Sequence, residues 1–97
     1  MNILVTAGPT REAVDPVRFL SNRSTGKMGY AIASVAVKRG HTVKLISGPV
    51  SLSDPPGVEV SRVTTAAEML EAVQSGFPWC NALVMSAAVA DWKPKAV

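Results

Sequence analysis

The sequence holds one cysteine, Cys80, so no internal disulfide can form, and the residue reads as a small buried hydrophobe suited to a reducing compartment. No apolar run approaches the ~20 residues that cross a bilayer, and residues 1–7 are too short and uncharged for a secretory signal. A soluble, cytoplasmic protein with no membrane partner is therefore expected. Aromatics make up only 5% of the chain, and Lys and Arg are dispersed without a run, so the net charge of +3 favours small anions rather than nucleic acid. The single histidine, His41, has no carboxylate or second ligand nearby in sequence and reads as a loop residue; no metal ligand is assigned. Two nucleotide signatures are also missing. Lys27 is followed by Met28, which excludes Gly-x-x-x-x-Gly-Lys-[Ser/Thr]. Gly-x-Gly-x-x-Gly does not follow the first strand, where only Gly26-x-x-Gly29 remains, eighteen residues late. The second strand ends in Ser47-Gly48, not in the acidic residue that holds an NAD ribose, which disfavours a dinucleotide oxidoreductase.

With 47% hydrophobic and 18% charged residues, the 97-residue chain reads as one globular domain. Residues 2–7 form an apolar run closed by Gly8-Pro9, as expected of a buried parallel strand. Residues 8–25 follow without periodicity, a loop far longer than the usual two to six residues and hence expected to be functional. Val14, Val17, Phe19 and Leu20 would pin it to the core, while Arg11, Glu12, Asp15 and Arg18 fit surface ion pairs as well as ligand contacts. Residues 26–39 read as a helix with a core-facing stripe of Met28, Ala31, Ile32, Val35 and Ala36, closed by Gly40. Further strands are expected over 42–47, 58–63 and 82–88. A second helix runs over 65–75, opened by the Thr65-x-x-Glu68 capping box and broken by residues 76–80. This alternation predicts an α/β fold, a three-layer Rossmann-like parallel sheet with flanking helices, whose ligand lies beyond the carboxyl ends of the strands.

Residues 21–29 carry the chemistry. They place Ser21, Ser24, Thr25, two glycines and the cations Arg23 and Lys27 at a helix start, where unpartnered backbone N–H groups attract anions. A phosphate fits there, with Gly8, Thr25, Gly26 and Lys27 as candidate contacts; equally, Ser24 or Thr25 is the N-cap of an ordinary helix. At the other expected strand end, Ser86, Ala87 and Ala88 would let a flat ring approach the backbone. Asp91 would accept from ribose hydroxyls or meet a metal-bridged phosphate, or serve as a loop carboxylate.

Four linked motifs resemble phosphopantothenoylcysteine synthetase, the phosphopantothenate–cysteine ligase of coenzyme A synthesis. They are Thr6-Ala7-Gly8-Pro9-Thr10-Arg11-Glu12, Asp15-Pro16-Val17-Arg18, Ser21-Asn22-Arg23-Ser24-Thr25-Gly26-Lys27-Met28-Gly29 and Ser86-Ala87-Ala88-Val89-Ala90-Asp91. The resemblance implies that CTP with Mg²⁺ activates 4′-phosphopantothenate as an acyl-cytidylate, which the amine of cysteine then attacks. FMN enters only if a decarboxylase is fused in the parent protein. Asn22 matches the family's asparagine for processing the acyl-cytidylate, Ser24 a triphosphate contact, Met85, Ser86 and Ala87 the segment whose backbone reads the nucleotide, and Asp91 another nucleotide contact. Arg11 and Arg18 are candidates for the substrate phosphate on charge alone. Residues 1–97 correspond to the N-terminal, nucleotide-binding half of the family domain, truncated on its C-terminal side before a lysine-bearing strip. The half is thus expected to be inactive alone, and dimerisation belongs to the intact domain. Two other readings are a catalytically silent nucleotide-binding module and an NADP-dependent reductase.

Overall fold

The computed structural model describes residues 1–15, 18–21 and 26–86, with the backbone alone at 11–15 and 18–21. In chain order the elements are β1 (Asn2–Ala7), β2 (Arg11–Asp15), β3 (Arg18–Ser21), α1 (Lys27–Lys38), β4 (Thr42–Ser47), β5 (Glu59–Arg62), α2 (Ala66–Gly76), a 3-10 turn (Phe77–Trp79) and β6 (Ala82–Met85). β5, β4, β1 and β6 lie side by side in that order, all parallel, with Val5 opposite both Leu45 and Val84. Alternation along β1 assigns the two faces. Ile3, Val5 and Ala7 join Val43 and Leu45 under α1, while Leu4 joins Ile46 and Met69 under α2. A helix on each face makes three layers, and the near-continuous apolar runs of β1 and β4 follow from being covered twice. Each fully buried Leu or Val in these runs contributes about 1.5–3 kcal/mol of transfer free energy.

α1 turns a different face to the sheet from the one its hydrophobicity suggests. Gly29, Tyr30, Ala33 and Ala36 are buried, whereas Met28 is 70% exposed and Val35 50% exposed, and Ala31 is also exposed. Of the expected stripe only Ala36 is buried and Ile32 half-buried. The reason is distance: Gly29 lies so close to Ala7 and Ser86 that no side chain fits between helix and strand, so small residues take the contact face. The helix also starts one residue late, with Gly26 as N-cap and no side-chain cap, which corrects the reading of Ser24 or Thr25 as cap.

The second correction concerns residues 8–25. Rather than one irregular loop, they contain the antiparallel pair β2–β3, with Arg11 opposite Ser21 and Asp15 opposite Arg18, and a register shift between Ala13 and Asp15. Residues 16 and 17, and 22–25, lie outside the described residues, as do all the side chains of this ribbon. Among the described residues the last strand, β6, ends at Met85, and α2 continues through Gly76 into the 3-10 turn, beyond the break expected there.

α2 opens as its sequence dictates. The Thr65 hydroxyl accepts from the Glu68 N–H at 3.1 Å, and Glu68 Oε1 accepts from the Thr64 and Thr65 N–H groups at 2.7 and 3.1 Å. These donors, Thr64 first, hold the Glu68 carboxyl below its ordinary value. A carboxylate favoured in the folded state stabilises it above the unfolded pKa of about 4.3, and that contribution disappears as pH falls through the lower folded value. The urea midpoint of Glu68→Gln should therefore lack part of the acid-side decline below about pH 4.3 that the parent shows. Superimposable pH profiles would contradict the role of the ionised cap.

Candidate functional site

A parallel sheet offers a binding crevice where the chain reverses its direction of travel across the sheet, outside the carboxyl strand ends. From β1 the chain moves to β4 and β5 on one side and later returns to β6 on the other, so that point lies between β1 and β6. Its floor is Thr6, Ala7 and Gly8 beside Met85 and Ser86. Ser86 is tied down by two bonds to one acceptor, its N–H and its hydroxyl donating to the Thr6 carbonyl at 3.1 and 2.6 Å. The buried polar side chains among the described residues, Thr6, Thr10 and Ser47, all lie at or just beyond this end of the sheet.

α1 starts directly over this edge. Gly8 and Gly26, eighteen positions apart in sequence, are in contact: a Cβ on Gly26 would sit 3.4 Å from the Gly8 Cα. The ribbon β2–β3 leaves and returns at one place, which is why so long an insertion leaves its ends together. Gly8 and Gly26 adopt φ of +84° and +81°, a left-handed region open to glycine at little cost. With Gly29 closing the helix onto β1, the three glycines take positions of a Gly-x-Gly-x-x-Gly turn into which a hairpin has been inserted. The linear sequence hides this signature because its first two members are separated. The space the glycines leave is used differently from the expected close approach of a ligand, however. The Val50 side chain fills the notch against Gly8 and Gly26, and the backbone of Gly48 lies on the Pro9 carbonyl.

The β4 side of the crevice is thereby occupied by residues 48–52. Ser47 is buried there, accepting from the Tyr30 hydroxyl at 2.8 Å and donating to the Gly48 carbonyl at 2.8 Å. Arg62, at the end of β5, is paired with Asp54 and reaches the Leu52 carbonyl at 3.4 Å, tying this loop to the sheet. The Asp54 hydrogen bond, and then Tyr30, push the Arg62 pKa further up, so it remains a cation. No carboxylate stands at the end of β4 to hold a second ribose, and the filled notch leaves the β1–β6 side as the open half of the crevice. No pattern in the sequence marks Tyr30 or Val50, or a hydrogen-bonding role for Ser47, because isolated polar and apolar residues carry no periodic signal.

Among the sequence-derived candidates, the structure brings Gly8, Gly26, Lys27 and Ser86 to this edge, with Lys27 exposed on the first turn of α1. Met85 is there too, its side chain 68% exposed. The register puts Arg11, opposite Ser21, at one end of the ribbon and Arg18, opposite Asp15, at the other, on the order of 10 Å apart along it. Asn22, Ser24, Thr25, Ala87 and Asp91 lie outside the described residues. No group of three His, Cys, Asp or Glu side chains gathers among the described residues, and no described helix is long and apolar enough to cross a membrane. The structure can thus present a helix N-terminus and backbone groups to an anion at the β1–β6 crevice.

Residues 1–97 match the family model described as the DNA/pantothenate metabolism flavoprotein C-terminal domain. The chain is similar to the coenzyme A biosynthesis bifunctional protein CoaBC of Bacillus subtilis, 56% identical over 97 residues, which cover 99% of this chain and 24% of that protein. The CoaBC of Escherichia coli K12 is 53% identical over 97 residues, again 24% of its length. A crystal structure of the C-terminal domain of CoaBC superposes with a TM-score of 0.88 at 53% identity, covering 99% of this chain and 49% of that one. The chain therefore spans about a quarter of the curated relatives and about half of the solved domain.

Proposed function

This chain belongs to the DNA/pantothenate metabolism flavoprotein C-terminal domain family, and from that membership we propose that it is the N-terminal, nucleotide-binding half of a phosphopantothenate–cysteine ligase domain. The observation that carries the reading is the start of α1 at the β1–β6 crevice, with Gly8, Gly26 and Lys27 on one side and Ser86 on the other. A helix N-terminus with a cation beside it suits the triphosphate of CTP, and the tethered backbone at Met85–Ser86 suits its base and ribose.

A carboxylate acylates amines poorly. In the proposed reaction the carboxylate of 4′-phosphopantothenate attacks the α-phosphorus of CTP and pyrophosphate leaves. The amine of cysteine then attacks the acyl-cytidylate and CMP leaves as the amide forms. The chain's part is to fix both partners and to stabilise charge as it develops. Asn22 is assigned to the acyl-cytidylate, since a neutral carboxamide donates to an oxyanion without adding charge. Ser24, Thr25 and Asp91 are assigned to the nucleotide, as is the backbone through Ala87, and Arg11 or Arg18 to the substrate phosphate. Mg²⁺ is assigned no ligand on this chain and would arrive on the phosphates of CTP. FMN would enter only with a decarboxylase fused in the parent protein. Action in the cytoplasm and dimerisation through the intact domain complete the proposal. No observation favours the reductase, and a silent nucleotide-binding module is separated from the ligase by the same experiment.

That experiment replaces the matched segment of the B. subtilis relative with these 97 residues. The hybrid should consume CTP and cysteine together. In it, Asn22→Ala should accumulate acyl-cytidylate while amide formation falls about 100- to 1,000-fold, the scale of losing one oxyanion donor. Undiminished amide formation would remove Asn22 from its role, and CTP binding without turnover in the unsubstituted hybrid would leave only a binding module.

A further inference from the structure

In a fold built on Gly-x-Gly-x-x-Gly, the glycines let the pyrophosphate of a dinucleotide pass close over the end of the first strand, with one nucleoside on each side of it. Gly8, Gly26 and Gly29 take those positions here, but the passage between the two sides is filled. Val50 Cγ1 stands 2.9 Å from where a Cβ on Gly8 would be and 3.0 Å from where one on Gly26 would be, so one methyl group is seated against both glycines. The rest of the side chain packs, half-buried, on the cluster that contains Val5, Ala7 and Tyr30.

This wedge is anchored on both sides. Before it, the Gly48 N–H donates to the Ala7 carbonyl at 2.9 Å, and the Gly48 carbonyl accepts from the Ser47 hydroxyl. Ser47 is held in turn by the Tyr30 hydroxyl and, through its own carbonyl, by the Val63 N–H at 2.9 Å. After it, Arg62 donates to the Leu52 carbonyl and pairs with Asp54. Residues 48–53, Gly-Pro-Val-Ser-Leu-Ser, carry no charge. A diphosphate brought against Val50 would lose water and find an apolar side chain in exchange, which is costly for a charged group.

We propose that Val50 is a specificity-determining residue that confines this fold to mononucleotides, because its side chain occupies the path a pyrophosphate would take from the β6 side of β1 to the β4 side. One nucleotide fits the β1–β6 crevice; a second, joined to it through phosphate, is refused at the notch. The inference concerns what the fold excludes, and it holds whether or not the chain works within a ligase.

The test titrates this chain calorimetrically with ADP-ribose, in which a pyrophosphate joins two riboses, and with AMP and CTP. It compares the parent with Val50→Gly, Val50→Ala and Val50→Thr, each at a temperature where circular dichroism shows it folded. ADP-ribose should bind Val50→Gly about tenfold or more tightly than the parent, the scale at which one or two methyl groups discriminate between ligands, with Val50→Ala in between. AMP should change less than about threefold across the series, since a single phosphate need not cross the notch. Val50→Thr keeps the shape of the wedge and should hold ADP-ribose as weakly as the parent does. If Val50→Gly does not fold, the alanine and threonine variants carry the same contrast of volume. Equal ADP-ribose affinities in the parent and the smaller variants overturn the proposal, as does a gain in Val50→Thr matching that of alanine. AMP tightening as much as ADP-ribose also overturns it and gives the opened notch to a single phosphate. Failure of the parent to bind CTP counts against the nucleotide-binding reading, while the ADP-ribose comparison still decides the role of Val50.

Discussion

Gly48→Ala should lower the thermal midpoint of this chain by roughly 15–30 °C, the equivalent of about 4 kcal/mol at 4–8 °C per kcal/mol for a domain of this size. A Cβ at position 48 would fall inside the Pro9 carbonyl oxygen and 2.8 Å from its carbon, against backbone that has no rotamer to yield. The loop from β4 would have to move off the turn after β1, taking Val50 out of its notch at Gly8 and Gly26 and separating the glycine pair from its cover. In a small domain with a total stability of about 5–15 kcal/mol, that is a large share. Circular dichroism on heating decides it: a midpoint within about 3 °C of the parent, under 1 kcal/mol by the same scale, would show that the loop yields freely.

Gly29→Ala sets two effects of opposite sign against each other. At an exposed position within a helix, alanine in place of glycine gains about 1 kcal/mol. Here the new methyl would overlap the Ala7 side chain and lie 2.6 Å from Ser86 Oγ and 3.0 Å from the Ala7 Cα. Overpacking against a strand typically costs about 1–3 kcal/mol, and with backbone on the other side the upper part of that range applies, so a net loss of about 2 kcal/mol is expected. A gain in stability would mean that α1 lifts off without cost. In the hybrid enzyme the same substitution pushes the helix start away from Ser86, and a misplacement of about 1 Å should lower turnover on the order of 100-fold. Stability and turnover should fall together, which an effect on folding alone would not produce in protein that remains folded at the assay temperature.

The packing of α1 also shows why one reading of the sequence missed its target. The most hydrophobic face of that helix, Met28–Ile32–Val35, is the one left open, whereas the face against β1 is made of Gly29, Ala33 and Ala36. Hydrophobicity measures how strongly a face seeks cover; it does not say which neighbour provides it. Where helix and sheet approach closely, volume selects the contact residues and apolar bulk is displaced to the flank. The ribbon β2–β3 escaped notice for a related reason: its strands are four and five residues long and interleave charged and apolar positions too briefly to register a period.

What the residues dictate locally was decided by sequence alone: β1 and β4 end to end, the Thr65–Glu68 cap that starts α2, the α/β class, and through linked motifs the family itself. These depend on neighbours within a few positions, or on patterns read in chain order. Only the tertiary structure put Gly8 against Gly26 across a hairpin, filled their notch with Val50 and joined Tyr30 to Ser47. Such relations join residues distant in the chain, and they are fixed by how closely helices and strands can approach once packed, a quantity that no local pattern contains.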